Sequence, residues 1–266
     1  MSRRAAREAR QRRKDAFGVV LIVVVLAALG GIGMAAMQMR TPAHDAETLC
    51  LADTPPPLHT LILVDATDRL NARHQKRLKA IVQQEVARLP RWGRLTLMTL
   101  RPDAEREPRM LFSACTPGDR TNANPLWENV GGLEKAREDV FDTPLNDALA
   151  STKGGRSADG SPSVEGLYAA ASDPDFAGNK RRLVLVSDLL QYSPGRFSLY
   201  DATQTWGAYR ASQGALRTPP DLSGVVVRVV TLERPDRGEA QENARNAFWT
   251  PYFSEAAGAD AVTFDD

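Results

Sequence analysis

Thr60-Leu61-Ile62-Leu63-Val64-Asp65-Ala66-Thr67-Asp68 and, far downstream, Leu183-Val184-Leu185-Val186-Ser187-Asp188 are the two stretches on which the fold turns. Each is a short, continuously apolar run stopped by an acid. A strand with no polar face has to be covered on both sides, and that is the condition of a strand inside a mainly parallel sheet layered by helices. Gly224 to Thr231 reads as a third strand of this kind.

The segments between them carry the helix signals such a sheet needs. Asn71 is placed to cap a helix on which Leu78, Ile81, Val82, Val86 and Leu89 recur at helical spacing until Pro90. Leu95 to Leu100 and Arg109 to Ala114 read as two strands, with Arg101-Pro102-Asp103 opening the turn between them. After an irregular stretch from Thr116 to Gly132, Leu133 to Ala150 reads as a helix interrupted at Pro144. Gln241 to Phe253 reads as a late helix and Ala261 to Phe264 as a last edge strand. Apolar strands alternating with amphipathic helices predict a doubly wound α/β fold, with helices on both faces of the sheet.

The N-terminus is different in kind. Arg3, Arg4, Arg7, Arg10, Arg12, Arg13 and Lys14 crowd its first segment, and an uncharged apolar run follows from Phe17 to Met37. That run has the length of a membrane span, and in lipid only a helix would satisfy its backbone. The expected organisation is a basic cytoplasmic segment (1–16), a transmembrane helix (17–37), a linker (38–57) ending in Pro55-Pro56-Pro57, and one domain (58–266). Cations favour the cytoplasmic side and Arg40 is the one nearby cation beyond the run, so the domain is expected outside the cytoplasm, in the periplasm of a bacterium. A cleaved signal peptide is the competing reading; the run exceeds the usual apolar core and no small-x-small site closes it.

The whole chain balances 34 Lys+Arg against 33 Asp+Glu, which argues against nucleic acid as a partner. Contact with anionic lipid explains the basic arm more simply. Cys50 and Cys115 both fall on the expected outer side, where an oxidising compartment allows pairing. Neither has metal-ligand spacing to His44, His59 or His74. Trp92, Trp127, Trp206 and Trp249 read as packing residues, as do the aromatics of Phe248 to Phe253. In open parallel sheets ligands collect beyond the carboxyl ends of the strands, and this sequence places acids there twice.

The order strand-Asp-x-Thr, amphipathic helix, two strands, Ser/Thr-led helix, strand-Ser-Asp resembles the von Willebrand factor type A domain. That family holds a divalent cation at a metal-ion-dependent adhesion site whose first loop reads Asp-x-Ser-x-Ser. Asp65 and Thr67 match its first two positions, and Arg69 stands where the second Ser is expected. A guanidinium cannot ligate a cation, so Arg69 either points outward or pairs with Asp68 or Asp188. For the second loop Thr143 and Ser161 compete. Ser161 is favoured because one helix of about three turns fits between it and the strand at Leu183. Pro162 also suits a first helical position. The third loop supplies Asp188. The resemblance therefore implies Mg²⁺ or Mn²⁺ held by Asp65, Thr67, Ser161 and Asp188, with a partner protein's carboxylate completing the coordination. In that topology the third strand runs antiparallel, so Cys115 returns to the edge where the first strand begins, near Cys50. A disulfide there would clamp the linker to the end of the domain away from the acids.

Taken one by one, these acids and hydroxyls are also ordinary caps and turn formers. A metal-free scaffold, with Arg69 neutralising the acids, is the first alternative. A Mg²⁺-dependent phosphohydrolase is the second. Against an enzyme, Asp65-Ala66-Thr67 lacks a second aspartate, no glycine-rich phosphate loop is present, and no histidine is expected at the acidic edge. Leu189-Leu190-Gln191-Tyr192, just after Asp188, is a candidate recognition rim.

Overall fold

The computed structural model describes residues 3–38, 42–100, 107–123, 128–152, 160–194, 197–211 and 219–265. The turn expected at Arg101-Pro102-Asp103 lies outside them, as do Arg40 and Trp127. The chain divides into two units. The first holds helix α1 (Arg3–Gln38), whose stretch Ala16–Met34 is long and apolar enough to cross a membrane.

The second unit is the α/β domain. Its strands are β1 (His59–Asp65), β2 (Arg94–Leu100), β3 (Arg109–Cys115), β4 (Arg181–Ser187), a two-residue hairpin β5 (Tyr192–Ser193) and β6 (Phe197–Ser198), β7 (Val225–Thr231) and β8 (Ala261–Asp265). Its helices are α2 (Ala72–Arg88), α3 (Val130–Arg137), α4 (Thr143–Ser151), α5 (Ser163–Ala171), α6 (Trp206–Ala211) and α7 (Gly238–Asn243). The six-stranded sheet has the order β3-β2-β1-β4-β7-β8. Only β3 is antiparallel to its neighbour, as the resemblance implies.

All seven residues of β1 are buried, so the apolar run is covered on both faces. Alternation sends Leu61, Leu63, Leu183, Leu185, Val227 and Val229 into one core layer. Ile62, Val64, Val184, Val186 and Val230 enter the other, where α2 contributes Leu78, Ile81 and Val82.

Two helices depart from the expected continuous form. The element read as Leu133 to Ala150 is α3, a π-helical segment at Glu138–Asp142, and α4. Pro144 has no N–H to continue an α-helical ladder; the chain passes it with Thr143 N–H bonding Glu138 O, five residues back. The late helix likewise gives way after α7 to π-helical segments at Ala244–Trp249 and Tyr252–Ala256, separated by Thr250 and Pro251. Phe248, Trp249, Tyr252 and Phe253 are all fully buried there, against Trp206 and Tyr209 of α6, a short helix that the sequence pattern does not predict. Trp92 is half-buried.

The apolar stripe of α2 also hides a charge. Glu85 is 0% exposed and receives Arg182 Nε from β4 and Arg228 Nη1 from β7, each at 2.8 Å. Arg228 continues to Asp265 Oδ2 at 2.6 Å. Burial of Glu85 is tolerable because two cations offset the lost hydration.

Cys50 and Cys115 are disulfide-bonded. Cys115 lies opposite Arg94, the first residue of β2, so the clamp sits at the end of the sheet away from Asp65. Leu49 is buried beside it, and Cys115 N–H donates to Thr48 O at 2.8 Å.

Candidate functional site

β1 and β4 are parallel neighbours in the register Val64↔Val186, which brings Asp65 and Ser187 together at their carboxyl ends. Ser187 Oγ donates to Asp65 Oδ2 at 3.0 Å. The loop entering α5 adds Ser161 Oγ at 3.0 Å and Ser163 Oγ at 2.9 Å on the same oxygen. Asp65 Oδ1 accepts from the Thr67 hydroxyl at 2.6 Å and the Thr67 amide at 3.1 Å. A carboxylate only 6% exposed therefore receives five donors. Burial of the carboxylate is tolerable because its lone pairs are taken up by hydroxyls and an amide.

Ser161 is held in place by its backbone, which exchanges two hydrogen bonds with Tyr192, at 2.8 and 3.0 Å. Thr143, the competing second-loop residue, bonds Glu138 Oε1 at 3.1 Å on the exposed side of α4. The structure thus joins Asp65, Thr67 and Ser161 directly and leaves Thr143 out of the cluster.

Asp188 belongs to the same rim but not to the same hydrogen-bond cluster. Its Oδ1 accepts from Leu190 N–H at 3.0 Å, while its Oδ2 meets Arg234 Nε at 2.6 Å. The same guanidinium also pairs with Asp68. Burial pushes the Asp188 carboxyl up to about 7, and the nearby Asp65 charge adds to the push. Arg234 opposes it only in part because it is shared with Asp68.

The cation at the rim is therefore Arg234, where the sequence reading looked to Arg69 to pair with the acids or point outward. Arg69 is exposed on the wall of a cavity of about 410 Å³ that Asp65, Asp68, Asp188 and Arg234 also line. Arg234 comes from the loop after β7, the strand beside β4. Neighbouring parallel strands deliver their trailing loops to one edge, and that was the signal available in the sequence. Ser163 and Ser187, which carry no role in the motif pattern, join the cluster because α5 begins and β4 ends beside Asp65.

Two further expectations are corrected. His74 lines the same cavity, because Asn71 caps α2 by accepting His74 N–H at 2.9 Å and so fixes the first helical turn over the rim. Its Nε2 lies 3.2 Å from Glu233 O. Leu189, Leu190 and Gln191 are 0% exposed and cannot form a recognition rim; Tyr192 alone of that run is exposed. Leu189 adopts φ 67°, costly for a branched side chain, and is fixed by Ser187 Oγ accepting its N–H and by Trp249 Nε1 donating to its carbonyl. Gln191 turns inward to Glu165 Oε2 and to the amide of Val164, tying the loop after β4 to the start of α5. Among the described residues no group of three or more His, Cys, Asp or Glu is arranged around a common metal position.

No family model matches the chain, and no curated relative does. Among solved structures it is similar to the human COPII-coat protein Sec24c, with 13% identity and a TM-score of 0.41, over 80% of this chain and 30% of that one. This chain spans about 30% of that protein's length, and so loose an overlap carries no inference about function.

Proposed function

We propose that the chain is a membrane-anchored, extracytoplasmic module, similar to type A domains, that binds another protein through the rim around Asp65 and Asp188, and that it does so without a metal ion. The observation that carries the metal-free mechanism is the Arg234 guanidinium, bonded to both Asp188 and Asp68. A divalent ion held by Asp65 and Asp188 would have to share the rim with that cation, and Asp65 already has five donors. The donor set therefore fits a fixed internal guanidinium better than Mg²⁺ or Mn²⁺. In this reading Arg234 and the serine hydroxyls keep the rim rigid, and the partner reads a preformed polar surface that includes Arg69, His74 and Glu233.

A second reading keeps the ion. The convergence of Thr67 and Ser161 hydroxyls on Asp65 favours it, since those oxygens are what a hard cation prefers. The apolar stretch of α1, the basic residues before it and the Cys50–Cys115 disulfide support membrane anchoring with the domain outside the cytoplasm. We assign no catalytic role to the rim.

The test is a pull-down from native membranes with the full chain, with and without chelator, beside calorimetric titration of the detergent-solubilised chain with MgCl₂ and MnCl₂. Capture that ignores chelator, is lost in Arg234→Glu, and is accompanied by no saturable metal heat supports the metal-free mechanism. Saturable binding of either ion, with chelator-sensitive capture, refutes it and restores the ion. Thiol or protease labelling that places the domain in the cytosol would refute the topology.

A further inference from the structure

We propose that Gln241 is the positioning residue of the rim: its side-chain amide holds Arg234 against Asp188, and through that pair it sets the surface on which a partner protein docks. The docking half of this inference rests on the binding role proposed above, and the positioning half rests on geometry alone.

Gln241 is polar yet only 7% exposed, and its side-chain hydrogen bonds all go to backbone. Its Oε1 accepts Arg234 N–H at 2.8 Å. Its Nε2 donates to Leu232 O at 3.0 Å and to Asp188 O at 2.9 Å. Residues 232–234 follow β7 and residue 188 follows β4, so one amide divides its N–H donors between the two loops whose side chains form the ion pair. Leu232 N–H also donates to Ser187 O at 2.8 Å, which already makes the loops neighbours, and Gln241 adds the bonds at the residues that carry the charges. Burying an amide costs free energy unless it is bonded, and an apolar side chain of the same size would serve packing alone more cheaply.

The base under Gln241 is fixed. It belongs to α7, where its own N–H bonds Arg237 O at 2.9 Å, and Ala240 and Ala244 beside it lie in the larger core layer. Further along the same helical run Trp249 Nε1 donates to Leu189 O, so that run grips the consecutive carbonyls of residues 188 and 189. Arg234, by contrast, is a long side chain 28% exposed on a loop. A loop arginine with a free backbone spreads over many rotamers, and the 2.6 Å contact of its Nε with Asp188 Oδ2 requires both backbones to be held. A partner that docks on a surface ordered in advance does not bear the cost of ordering it.

The test uses the full, isotope-labelled chain in detergent micelles. The guanidinium Nε–H of Arg234, assigned by its absence from Arg234→Lys, is expected to give a separate, slowly exchanging NMR resonance in the parent chain. Gln241→Met keeps the length and apolar body of the side chain and removes its hydrogen bonds. It is expected to speed exchange of that proton with water about tenfold, the scale of one buried hydrogen bond, with an unchanged circular dichroism spectrum. Gln241→Glu, which keeps an acceptor for Arg234 N–H and has no donor for the two carbonyls, is the second variant and is expected to do the same. Capture from native membranes is then compared among the parent, Gln241→Met, Arg234→Glu, Arg234→Ala and the Arg234→Ala, Gln241→Met double variant. Capture should fall in Gln241→Met, yet Gln241→Met should add no further loss in the Arg234→Ala background, because its effect runs through that side chain. An Arg234 proton that exchanges freely in the parent, or is as protected in both Gln241 variants as in the parent, overturns the positioning role. A further loss of capture in the double variant also overturns it, because Gln241 then acts on the fold and not through Arg234. Capture lost in Arg234→Glu but kept in Gln241→Met overturns the inference and leaves the binding role standing. Capture kept in both overturns the binding role itself, and the docking half of the inference with it.

Discussion

Lowering the pH should cost this domain stability through one buried histidine. His59 opens β1 at 1% exposure, and its Nδ1 lies 3.0 Å from Ala177 O. A carbonyl only accepts, so the ring proton sits on Nδ1 and Nε2 accepts the Thr96 hydroxyl at 2.9 Å. Thr96 in turn takes the Ser113 hydroxyl at 2.8 Å, and Ser113 takes Arg94 Nε at 3.0 Å. Every donor in this chain points toward the neutral ring, and a second proton on Nε2 would break it. Burial, with the Arg94 charge adding to it, holds the imidazole down to about 4 against the Ala177 bond. Above pH 6.5 the ring is neutral folded or unfolded and sets no pH dependence. Below 6.5 the unfolded chain takes up a proton that the native site refuses until about pH 4, so stability falls through that window. The gap between 6.5 and about 4, at about 1.4 kcal/mol per pH unit, comes to roughly 3 kcal/mol. The assay is denaturant unfolding followed by tryptophan fluorescence between pH 7.5 and 4, on the parent chain and His59→Gln. The carboxylates common to both cancel in the difference. The stability gap between the two should shrink by about 3 kcal/mol as pH falls. A gap that stays flat would refute both the neutral assignment and the directed hydrogen-bond chain.

Asp188 has the opposite sign. Its raised carboxyl contributes stability that is fully present below the usual 3.8 and lost as pH rises through about 7, so Asp188→Asn should be more stable than the parent at pH 8 in chelator. A less stable variant in the same unfolding assay would mean that the Arg234 pair outweighs burial. The Cys50–Cys115 bond spans 65 residues, and the chain-entropy model gives about 4 kcal/mol for a loop of that size. Reduction, or Cys50→Ala with Cys115→Ala, should lower the urea midpoint accordingly. A Cβ on Gly166 would come within 2.0 Å of Leu100 Cδ2, in the core between α5 and β2, so Gly166→Ala should lower stability by about 1–3 kcal/mol, read by calorimetry.

The sequence by itself determined the strands that matter, because a run such as Leu61 to Val64 has no polar face and can be buried only one way. It also determined the N-terminal apolar helix and, with the resemblance to type A domains, the antiparallel β3 that brings Cys115 to Cys50. It put Asp65 and Thr67 at one strand end and favoured Ser161 over Thr143 beside them, because each stands at a strand end or helix start that the topology gathers on one edge; Asp188, expected in the same set, bonds Arg234 and the Leu190 amide instead. Tertiary structure alone decided the charge balance at that edge. Arg234, from the loop after β7, and Ser187, at the end of β4, reach the acids because of strand order, whereas Arg69, adjacent in sequence, is exposed on the wall of the cavity that the acids line. The inward turn of Leu189 to Gln191 was illegible for the same kind of reason: a positive φ at Leu189 is sustained by Trp249, some sixty residues away, and no local pattern announces it. Glu85 is the plainest case. On its helix it looks like a break in an apolar stripe, and only the arrival of Arg182 and Arg228 from two strands makes its burial stable.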